Sequence, residues 1–304
     1  VAKALDLYKT EGFAEEIVIT GGETKALAAL IGGGADVYLG SAPTVIRARE
    51  NGVQALMVGY CVSQYATNLV MSSKWVKAHG LTKDSTVAQK MAAMKGATLG
   101  ITAPGSGTDL IMRFLARKAG LDPDRDMTLS TLGGGDTITA AFAQGRIDGF
   151  ALSAPAAENA IKSHDAVMIL DMSKGEVKEV DGFLYTTITF RQETLNKTPD
   201  VAVRFLRVQQ RALDAIRNEA TTNGARDAVW KAYWPKVEKA LFDEMWVNWK
   251  GAWPATVEIP LSSVQQMIDF TNLVDSKKLD QEVASKAWSN KFATEAVQSL
   301  RGGK

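Results

Sequence analysis

Apolar and polar positions follow two patterns along the chain, and the pattern changes near residue 190. Before that point, short apolar or β-branched runs that predict strands alternate with amphipathic stretches that predict helices, which is typical of an α/β fold. After Arg191 only the helical periodicity remains. The predicted strands are residues 17–20, 36–39, 53–60, 67–71, 98–101, 127–132, 149–152, 167–170 and 183–190, and the predicted helices are residues 1–12, 23–31, 43–51, 109–119, 136–143, 155–162, 199–219, 225–232, 237–249, 261–274 and 284–299.

One helix–strand–loop segment occurs twice. Residues 27–43 read LAALIGGGADVYLGSAP, and residues 139–155 read TAAFAQGRIDGFALSAP. Ser41 and Ser153 are 112 positions apart (153 − 41 = 112), and the same offset aligns the two copies without a gap. Each copy predicts a helix, a glycine turn, a strand and a Ser-Ala-Pro loop that opens another helix. The repeat therefore predicts two similar lobes, each a sheet flanked by helices, with a ligand cleft between them.

The two copies differ at their beginnings. With the same offset Val1 aligns with Arg113, whereas the second copy continues upstream through residues 97–109, ATLGITAPGSGTD. That stretch predicts a strand, a polar loop and a helix start. We therefore expect that an equivalent strand with its ligand loop, and a secretion signal, precede Val1 in the full-length protein.

The length of 304 residues suits two domains. We assign residues 1–68 and 186–304 to lobe 1, with the helical tail packed around it, and residues 69–185 to lobe 2. The chain then passes between the lobes twice, near residues 66–70 and 183–187, and these crossing strands predict a hinge.

Composition narrows the classes of function. Hydrophobic residues make up 46% and charged residues 23%, an ordinary globular balance. The net charge of +1 gives no indication of binding to nucleic acid or to an anionic membrane. Cys61 is the single cysteine, which excludes an intramolecular disulfide, and no apolar run reaches the ~20 residues of a membrane span.

Motifs for cofactors, metals or covalent catalysis are missing from the sequence. The segment APGSGTDL begins like a dinucleotide-binding pattern, but Leu110 stands in place of its third glycine. Residues 122–126 carry three aspartates at the spacing of a calcium loop, yet the loop's glycine and final glutamate are not there. His79 and His164 lie in polar surroundings without a metal-ligand pattern. We therefore expect no catalytic residue, no metal site and no cofactor.

Three polar loops each follow a predicted strand and precede a predicted helix, at residues 41–44, 106–108 and 153–155. A helix start leaves backbone N–H groups unpaired and carries partial positive charge, and small side chains let a ligand approach it. The loops therefore predict contacts to a sulfonate, carboxylate or phosphate, although Ser and Thr also serve as plain helix caps. Residues beside the two chain crossings complete the site. The candidate ligand-binding residues are Ser41, Ala42, Pro43, Thr44, Gln64, Tyr65, Ser106, Gly107, Thr108, Ser153, Ala154 and Tyr185.

These segments resemble the periplasmic solute-binding proteins of ABC importers in the nitrate, taurine, aliphatic-sulfonate and thiamine-pyrimidine-precursor group. The matching stretches are AKALDLYKTEGF, ALAALIGGGADVYLGSAP, GITAPGSGTDLIMRFLARKAGLDPDRD and AAFAQGRIDGFALSAP, between Val1 and about Phe190. The resemblance implies a two-lobe periplasmic-binding-protein fold of type II that closes by a hinge around a small molecule. It also implies a monomer that delivers this ligand to an ABC permease in the inner membrane, and a periplasmic or lipid-anchored extracellular location.

Two other classes of function share this fold. The first is an enzyme that resembles the pyrimidine synthases or the chorismate-derivative dehydratases. Pyrimidine synthases of this kind carry a cysteine-rich motif and an active-site histidine, whereas this chain has Cys61 alone and no histidine in a candidate loop. The second is a sensor domain, which would carry a DNA-binding or signalling segment. The sequence favours a binding protein, not an enzyme, for an organic ligand that is anionic or heterocyclic.

Overall fold

The computed structural model describes residues 1–20, 22–275 and 277–302, which form the helices α1–α14 and the strands β1–β8. The helices are α1 (Glu23–Ile31), α2 (Ala42–Glu50), α3 (Ser73–Ala78), α4 (Val87–Ala92), α5 (Gly107–Lys118), α6 (Gly135–Ala143), α7 (Ala156–Ser163), α8 (Gln192–Lys197), α9 (Pro199–Arg217), α10 (Thr222–Tyr233), α11 (Lys239–Trp249), α12 (Leu261–Val274), α13 (Gln281–Ser285) and α14 (Lys291–Arg301). The strands are β1 (Val37–Gly40), β2 (Ala55–Gln64), β3 (Asn68–Ser72), β4 (Thr98–Ile101), β5 (Thr128–Thr131), β6 (Gly149–Leu152), β7 (Ala166–Leu170) and β8 (Asp181–Arg191).

The chain divides into two compact units. Unit 1 comprises the described residues of Val1–Gln64, Gly182–Met267 and Leu279–Lys304, and unit 2 comprises those of Tyr65–Asp181 and Ile268–Lys278. This division differs from the lobes expected from the sequence in two respects. The boundaries fall after Gln64 and Asp181 instead of after residues 68 and 185, and the end of α12 belongs to unit 2 instead of lobe 1.

Aromatic contacts explain the position of the end of α12. The Phe270 ring lies 4.9 Å from Phe114 and 5.5 Å from Tyr65, measured between centroids. The Arg117 guanidinium donates to the Leu273 carbonyl at 2.7 Å. The apolar periodicity of α12 shows that it is buried, but it does not show against which unit.

Unit 1 contains a three-stranded sheet in the order β1-β8-β2, as far as the chain is described. β1 runs antiparallel to β8, with Val37 opposite Phe190 and Gly40 opposite Thr187. The apolar stripe of α9 and the inner face of α14 form the core with this sheet, as expected for an amphipathic helix. This core includes Val58, Ile188, Phe190, Leu206, Val208, Leu213 and Ala293.

A buried carboxylate connects the first residues to α9. Glu11, whose side chain is 6% exposed, accepts from the guanidinium groups of Arg207 and Arg211. Burial works against ionisation, but the hydrogen bond and the charge of Arg207, and then the charge of Arg211, lower the pKa of Glu11 below its ordinary value. This ion cluster stabilises unit 1 by holding the opening segment against the helix.

Unit 2 contains a five-stranded sheet in the order β5-β4-β6-β3-β7 among the described residues. β4 is parallel to β5 and β6, whereas β3 is antiparallel to β6 and β7. The helices α6 and α7 cover one apolar face, where Ile138, Phe142 and Phe150 are buried. The predicted strands at 98–101 and 149–152 are confirmed with the bounds of β4 and β6. None of the helices in the described part of the chain is long and apolar enough to span a bilayer.

Two predicted elements near the beginning of the chain are wrong. Residues 2–8 form turns, followed by a 3-10 helix at Lys9–Glu11, where a helix was predicted over residues 1–12. Asp6 has a φ of 53°, which interrupts helical geometry. Residues 13–20 form no strand, and Ile19 is 92% exposed. The repeat counterpart of the predicted strand is β5, which pairs with β4, and the described part of unit 1 contains no counterpart of β4.

Several short helices have too little periodicity to be predicted, namely α3, α4 and α8. The helix predicted at 284–299 is divided into α13 and α14. Trp288 lies between these two helices and forms a parallel bridge with Met57 of β2. This backbone pairing requires an extended conformation, so one continuous helix is not possible there.

Candidate functional site

The candidate residues of unit 1 lie where β1 leads into α2. We define the unit 1 junction as residues 38–44 together with Glu23. β1 ends at Gly40, Ser41 is the N-cap, and α2 begins at Ala42. Pro43 stands in the first turn, where the absence of its N–H costs no hydrogen bond. Thr44 is half-buried, and the three residues before it are buried.

A carboxylate of the protein itself occupies the polar side of this junction. The hydroxyls of Ser41 and Thr44 both donate to Oε2 of Glu23, at 2.7 and 2.9 Å. Ser41 makes no side-chain capping bond to the backbone of α2. The sequence predicted that these hydroxyls contact an anionic ligand, but in the structure they already bind the anionic side chain of Glu23. Ser41 and Thr44 remain candidate ligand-binding residues, but the group that they surround is a carboxylate of the protein.

Tyr38 brings a second polar group to the unit 1 junction. The residue is 2% exposed, and its ring folds back over Gly40, so that a Cβ on Gly40 would lie 2.1 Å from the Tyr38 hydroxyl oxygen. This hydroxyl makes no hydrogen bond of ideal geometry among the described residues, but the hydroxyls of Ser41 and Thr44 and the Ser41 N–H lie close enough to act on its pKa. Burial, and then the negative charge of Glu23, raises the pKa of Tyr38. Tyr38 is therefore a neutral phenol, which holds its proton and can take part in hydrogen bonds.

Two further candidates of unit 1 lie in neighbouring strands. Gln64 is the last residue of β2 and is buried. Tyr185 is half-buried in β8, two residues from Thr187, which is paired with Gly40 and donates to its carbonyl at 2.9 Å. Side chains two apart share a face of a strand, so Tyr185 and Thr187 are on the same face of β8.

In unit 2, the start of α5 is a capped helix end. Ser106 is the N-cap, and its Oγ accepts from the backbone N–H of Asp109 at 3.4 Å. The hydroxyl of Thr102 donates to Ser106 at 2.8 Å, and the Thr108 hydroxyl lies 2.9 Å from the same oxygen. The N–H groups of Gly107 and Thr108 have no partner in the part of the chain that is described. These two donors point out of the helix start, as an anion site requires.

Three further hydrogen bonds hold the first turn of α5 in place. The Asp109 carboxylate accepts from the Gly105 N–H at 2.7 Å and from Arg113 at 2.9 Å. The Tyr65 hydroxyl donates to the Gly107 carbonyl. Tyr65 is buried, and its hydroxyl positions the first turn of α5.

The second Ser-Ala-Pro loop differs from its prediction. α7 begins at Ala156 with Pro155 as the N-cap residue, so Ser153 does not open a helix. Ser153 is exposed, and its hydroxyl donates to the Ala66 carbonyl. Ala154 is half-buried and precedes Pro155 through a cis peptide bond.

Glu23 and Tyr38 were not among the residues predicted from the sequence. The repeat itself contains the signal that identifies them. With the offset of 112, the counterpart of Glu23 is Gly135 and the counterpart of Tyr38 is Phe150. The first copy is therefore polar at two positions where the second copy is not.

The cysteine, the histidines and the remaining acidic side chains are further possible metal ligands or reactive groups. Among the described residues, no group of three or more His, Cys, Asp or Glu side chains is arranged to hold a metal ion. The Cys61 thiol lies against the Thr186 carbonyl, and burial raises its pKa to about 12. His79 stacks on Trp75 with 4.3 Å between ring centroids.

Comparisons with known proteins agree with this architecture. The sequence model of the NMT1-like family matches residues 1–230. Among curated proteins, none matches the chain. A solved structure of a protein from Bordetella bronchiseptica RB50 matches with a TM-score of 0.82 and 22% identity, covering 99% of this chain and 92% of that one.

Two further solved structures have named ligands. The nitrate-binding protein NrtA from Synechocystis PCC 6803 matches with a TM-score of 0.77 and 13% identity, covering 98% of this chain and 84% of that one. The alkanesulfonate-binding protein SsuA from Xanthomonas axonopodis pv. citri, bound to MOPS, gives 0.71 and 17%, with 95% and 94% covered. The chain therefore has the fold of periplasmic ABC-type solute-binding proteins, and the resemblance predicted from its motifs is confirmed.

Proposed function

Because the chain belongs to the NMT1-like family, we propose that it is a solute-binding protein that captures a small organic molecule and delivers it to an ABC importer. The observation that carries this proposal is the start of α5. Its two unpartnered N–H groups, on Gly107 and Thr108, lie at the carboxyl end of a parallel strand. Ligands of open α/β sheets bind at such strand ends.

The start of α5 favours an anionic group on the ligand. The positive end of the helix and the two N–H groups suit a sulfonate or a carboxylate, and no basic side chain is required. Structural neighbours that bind an alkanesulfonate or nitrate support an anion as part of the ligand. The ligand-binding residues of unit 2 in this proposal are Ser106, Gly107 and Thr108, with Tyr65, Ser153 and Ala154 as supporting residues.

The proposed location and partner follow from the same family. We place the mature protein in the periplasm or on the outer side of the membrane, where an importer requires its binding protein, and we take the permease as its partner. That ligand binding closes a hinge stays a prediction. Small-angle scattering with and without saturating ligand measures it, and an unchanged radius of gyration contradicts it.

A ligand screen tests the proposed function. We expect one or more members of a panel of sulfonates, carboxylates, pyrimidines and nitrate to raise the melting temperature, because a ligand that binds the native state stabilises it. Calorimetric titration then gives the stoichiometry. After incubation with the protein, mass spectrometry should show that the mass of the ligand has not changed. A panel without any binder, or a ligand converted into a product, would contradict the proposal.

A further inference from the structure

The end of α10 and the turn that follows it expose two aromatic side chains. Residues 231–236, with the sequence KAYWPK, are all exposed, and we name them the aromatic turn. Tyr233 is 46% exposed and Trp234 is 38% exposed, and Trp234 is the only exposed residue among the seven tryptophans of the chain. Neither the Tyr233 hydroxyl nor the Trp234 indole N–H has a hydrogen-bond partner among the described residues. Both side chains therefore combine an accessible ring with a free polar tip.

Hydrogen bonds hold the aromatic turn in one shape. The Trp230 indole N–H donates to the Val237 carbonyl at 2.8 Å, and the Val237 N–H donates to the Trp234 carbonyl at 2.9 Å. The Trp234 N–H donates to the Trp230 carbonyl, also at 2.9 Å. The exposed side chains are therefore presented on a fixed backbone, which lowers the entropy cost of binding to a partner.

Lysines on both sides of the aromatic pair carry a positive charge that nothing neutralises. Lys231 and Lys236 form no ion pair among the described residues. Lys239, three residues further on, instead binds Asp227 at 2.8 Å. Glu238 is the only carboxylate in the sequence between Lys231 and Lys239, so the aromatic turn is positively charged.

The combination of tryptophan, tyrosine and lysine distinguishes a lipid surface from a protein partner. Trp and Tyr have an apolar body and a polar tip, and they concentrate in the headgroup region of bilayers. Lysine beside them is attracted to anionic lipids. Interfaces between proteins also favour Trp and Tyr, but lysine is depleted there. The two unpaired lysines therefore favour a bilayer as the partner of the aromatic turn.

We propose that the aromatic turn docks on the surface of a bilayer that contains anionic phospholipids. Tyr233 and Trp234 enter the headgroup region, where their polar tips find hydrogen-bond partners, and Lys231 and Lys236 contact the phosphate groups. Since a single short turn makes the contact, binding is weak and reversible. This inference goes beyond the proposed function, because it concerns a surface of unit 1 and does not depend on which solute is bound.

Sedimentation of the protein with vesicles tests this inference. The probes are vesicles of phosphatidylcholine alone, and vesicles of phosphatidylcholine with an equal amount of phosphatidylglycerol. At low salt we expect the protein to bind the anionic vesicles at least about 10-fold more tightly than the neutral ones. Most of this preference should disappear at about 0.5 M salt, because the charges are then screened.

Two lysine variants with the same change in net charge show where the contact lies. Lys231→Gln combined with Lys236→Gln should weaken binding to the anionic vesicles about 10-fold to 30-fold, since each lysine near the surface contributes about fivefold. Lys197→Gln combined with Lys286→Gln is the control. These two lysines are exposed and paired with a carboxylate four residues away, so binding should stay within about twofold.

Aromatic variants show whether the side chains enter the lipid. Tyr233→Ser combined with Trp234→Ser should weaken binding at least about fivefold, whereas Leu261→Ser changes an exposed apolar residue elsewhere and should leave it unchanged. Bromine-labelled acyl chains should quench part of the tryptophan fluorescence of the wild type. Because no other tryptophan is exposed, Trp234→Phe should abolish this quenching while it retains the melting temperature and most of the binding.

Three results would overturn the inference. The first is that the protein does not distinguish anionic from neutral vesicles. The second is an equal effect of the two lysine double variants, which would assign the attraction to net charge. The third is sedimentation without vesicles, which would show that the aromatic turn contacts a second copy of the chain. None of these results bears on the proposed function, because ligand titration without vesicles measures solute binding separately.

Discussion

The helix–strand frames of the two units agree residue for residue, whereas the polar groups at the strand ends do not. α1 and β1 begin at Glu23 and Val37, and α6 and β6 begin at Gly135 and Gly149, with one offset (135 − 23 = 149 − 37 = 112). Unit 1 places a carboxylate at the end of its strand, and unit 2 places only a hydroxyl there. The difference teaches that apolar spacing and turn glycines define the frame, while a few individual side chains define its chemistry.

The two strands also differ in where they require a glycine. In β1 a Cβ on Gly40 would collide with Tyr38, at 2.1 Å from its ring. The counterpart in β6 is Leu152, and the tight position is instead Gly149, whose Cβ would lie 2.4 Å from the Val70 carbonyl oxygen. β6 lies between β4 and β3, so its neighbours leave less room than at the edge strand β1.

Placing a residue of the unit 1 strand into the unit 2 strand should give the largest change in the free energy of unfolding. Gly149→Val introduces the residue of the counterpart Val37 into β6, where its Cβ meets Val70 backbone and the Met71 sulfur at 2.2 Å. Because the backbone cannot move without breaking the ladder, we expect a loss of about 3 kcal/mol in the free energy of unfolding, measured with urea.

Gly224→Ala is the control for this exchange. Gly224 lies in α10 with nothing within 4 Å of its Cβ position, so the variant should be neutral or more stable by up to about 1 kcal/mol. If Gly149→Val is as stable as the wild type, the close packing of β6 does not require glycine at this position.

The ion cluster of unit 1 should give the next largest effect. Glu11→Gln removes a buried charge from Arg207 and Arg211, and we expect a loss of about 2 kcal/mol at neutral pH. Since the folded pKa of Glu11 is lowered, its contribution is complete above its ordinary value of 4.5 and disappears as the pH falls through the folded value. The difference between variant and wild type should therefore shrink below about pH 4, as urea unfolding at several pH values can show.

The same experiment needs a control for general acid effects. Glu219→Gln removes an exposed carboxylate and should leave the free energy of unfolding within about 0.5 kcal/mol of the wild type at each pH. A difference for Glu11→Gln that shows no decrease at all between neutral pH and pH 3 would assign its effect to packing.

The serines at the starts of α5 and α2 should give the smallest changes in stability. They test whether these two helix starts differ as the hydrogen bonds indicate. Ser106→Ala removes a true N-cap from α5 and should cost about 1 kcal/mol, whereas Ser106→Asn retains capping and should cost less than about 0.5 kcal/mol. Ser41→Ala removes no capping bond, so its cost in thermal unfolding should come from the lost hydrogen bond to Glu23 and should fall when Glu23 is replaced by Ala in the same chain. An unchanged cost of Ser41→Ala in the Glu23→Ala background would refute the distinction.

Much of the architecture could be predicted because the signals are local. Short runs that follow the turn glycines Gly96 and Gly145 predicted β4 and β6 with their observed bounds, and Pro199 marked the start of α9. The match of the chain to its family could be predicted from the repeated Gly-x-x-Asp-strand-Ser segments in the same way.

Non-local partners explain what could not be predicted. Residues 17–20 have strand composition but no neighbouring strand in the described part of unit 1, and the end of α12 belongs to unit 2, where Phe270 packs on Phe114. Glu23 is 18 positions from Ser41, so the helical pattern of α1 alone gave no reason to join them. Only the comparison of Glu23 with Gly135, position by position, contains that information.

The exposed run Ile17–Val18–Ile19 marks the place in unit 1 where a further strand would pair. Its side chains are 56%, 64% and 92% exposed, and a β-branched segment of this kind has backbone groups open to pairing along its edge. Its repeat counterpart in unit 2, β5, has such a partner in β4. A chain in which this run stays uncovered should therefore associate more readily than one in which it is paired, and the carboxylates of Glu15 and Glu16 immediately before it oppose that association.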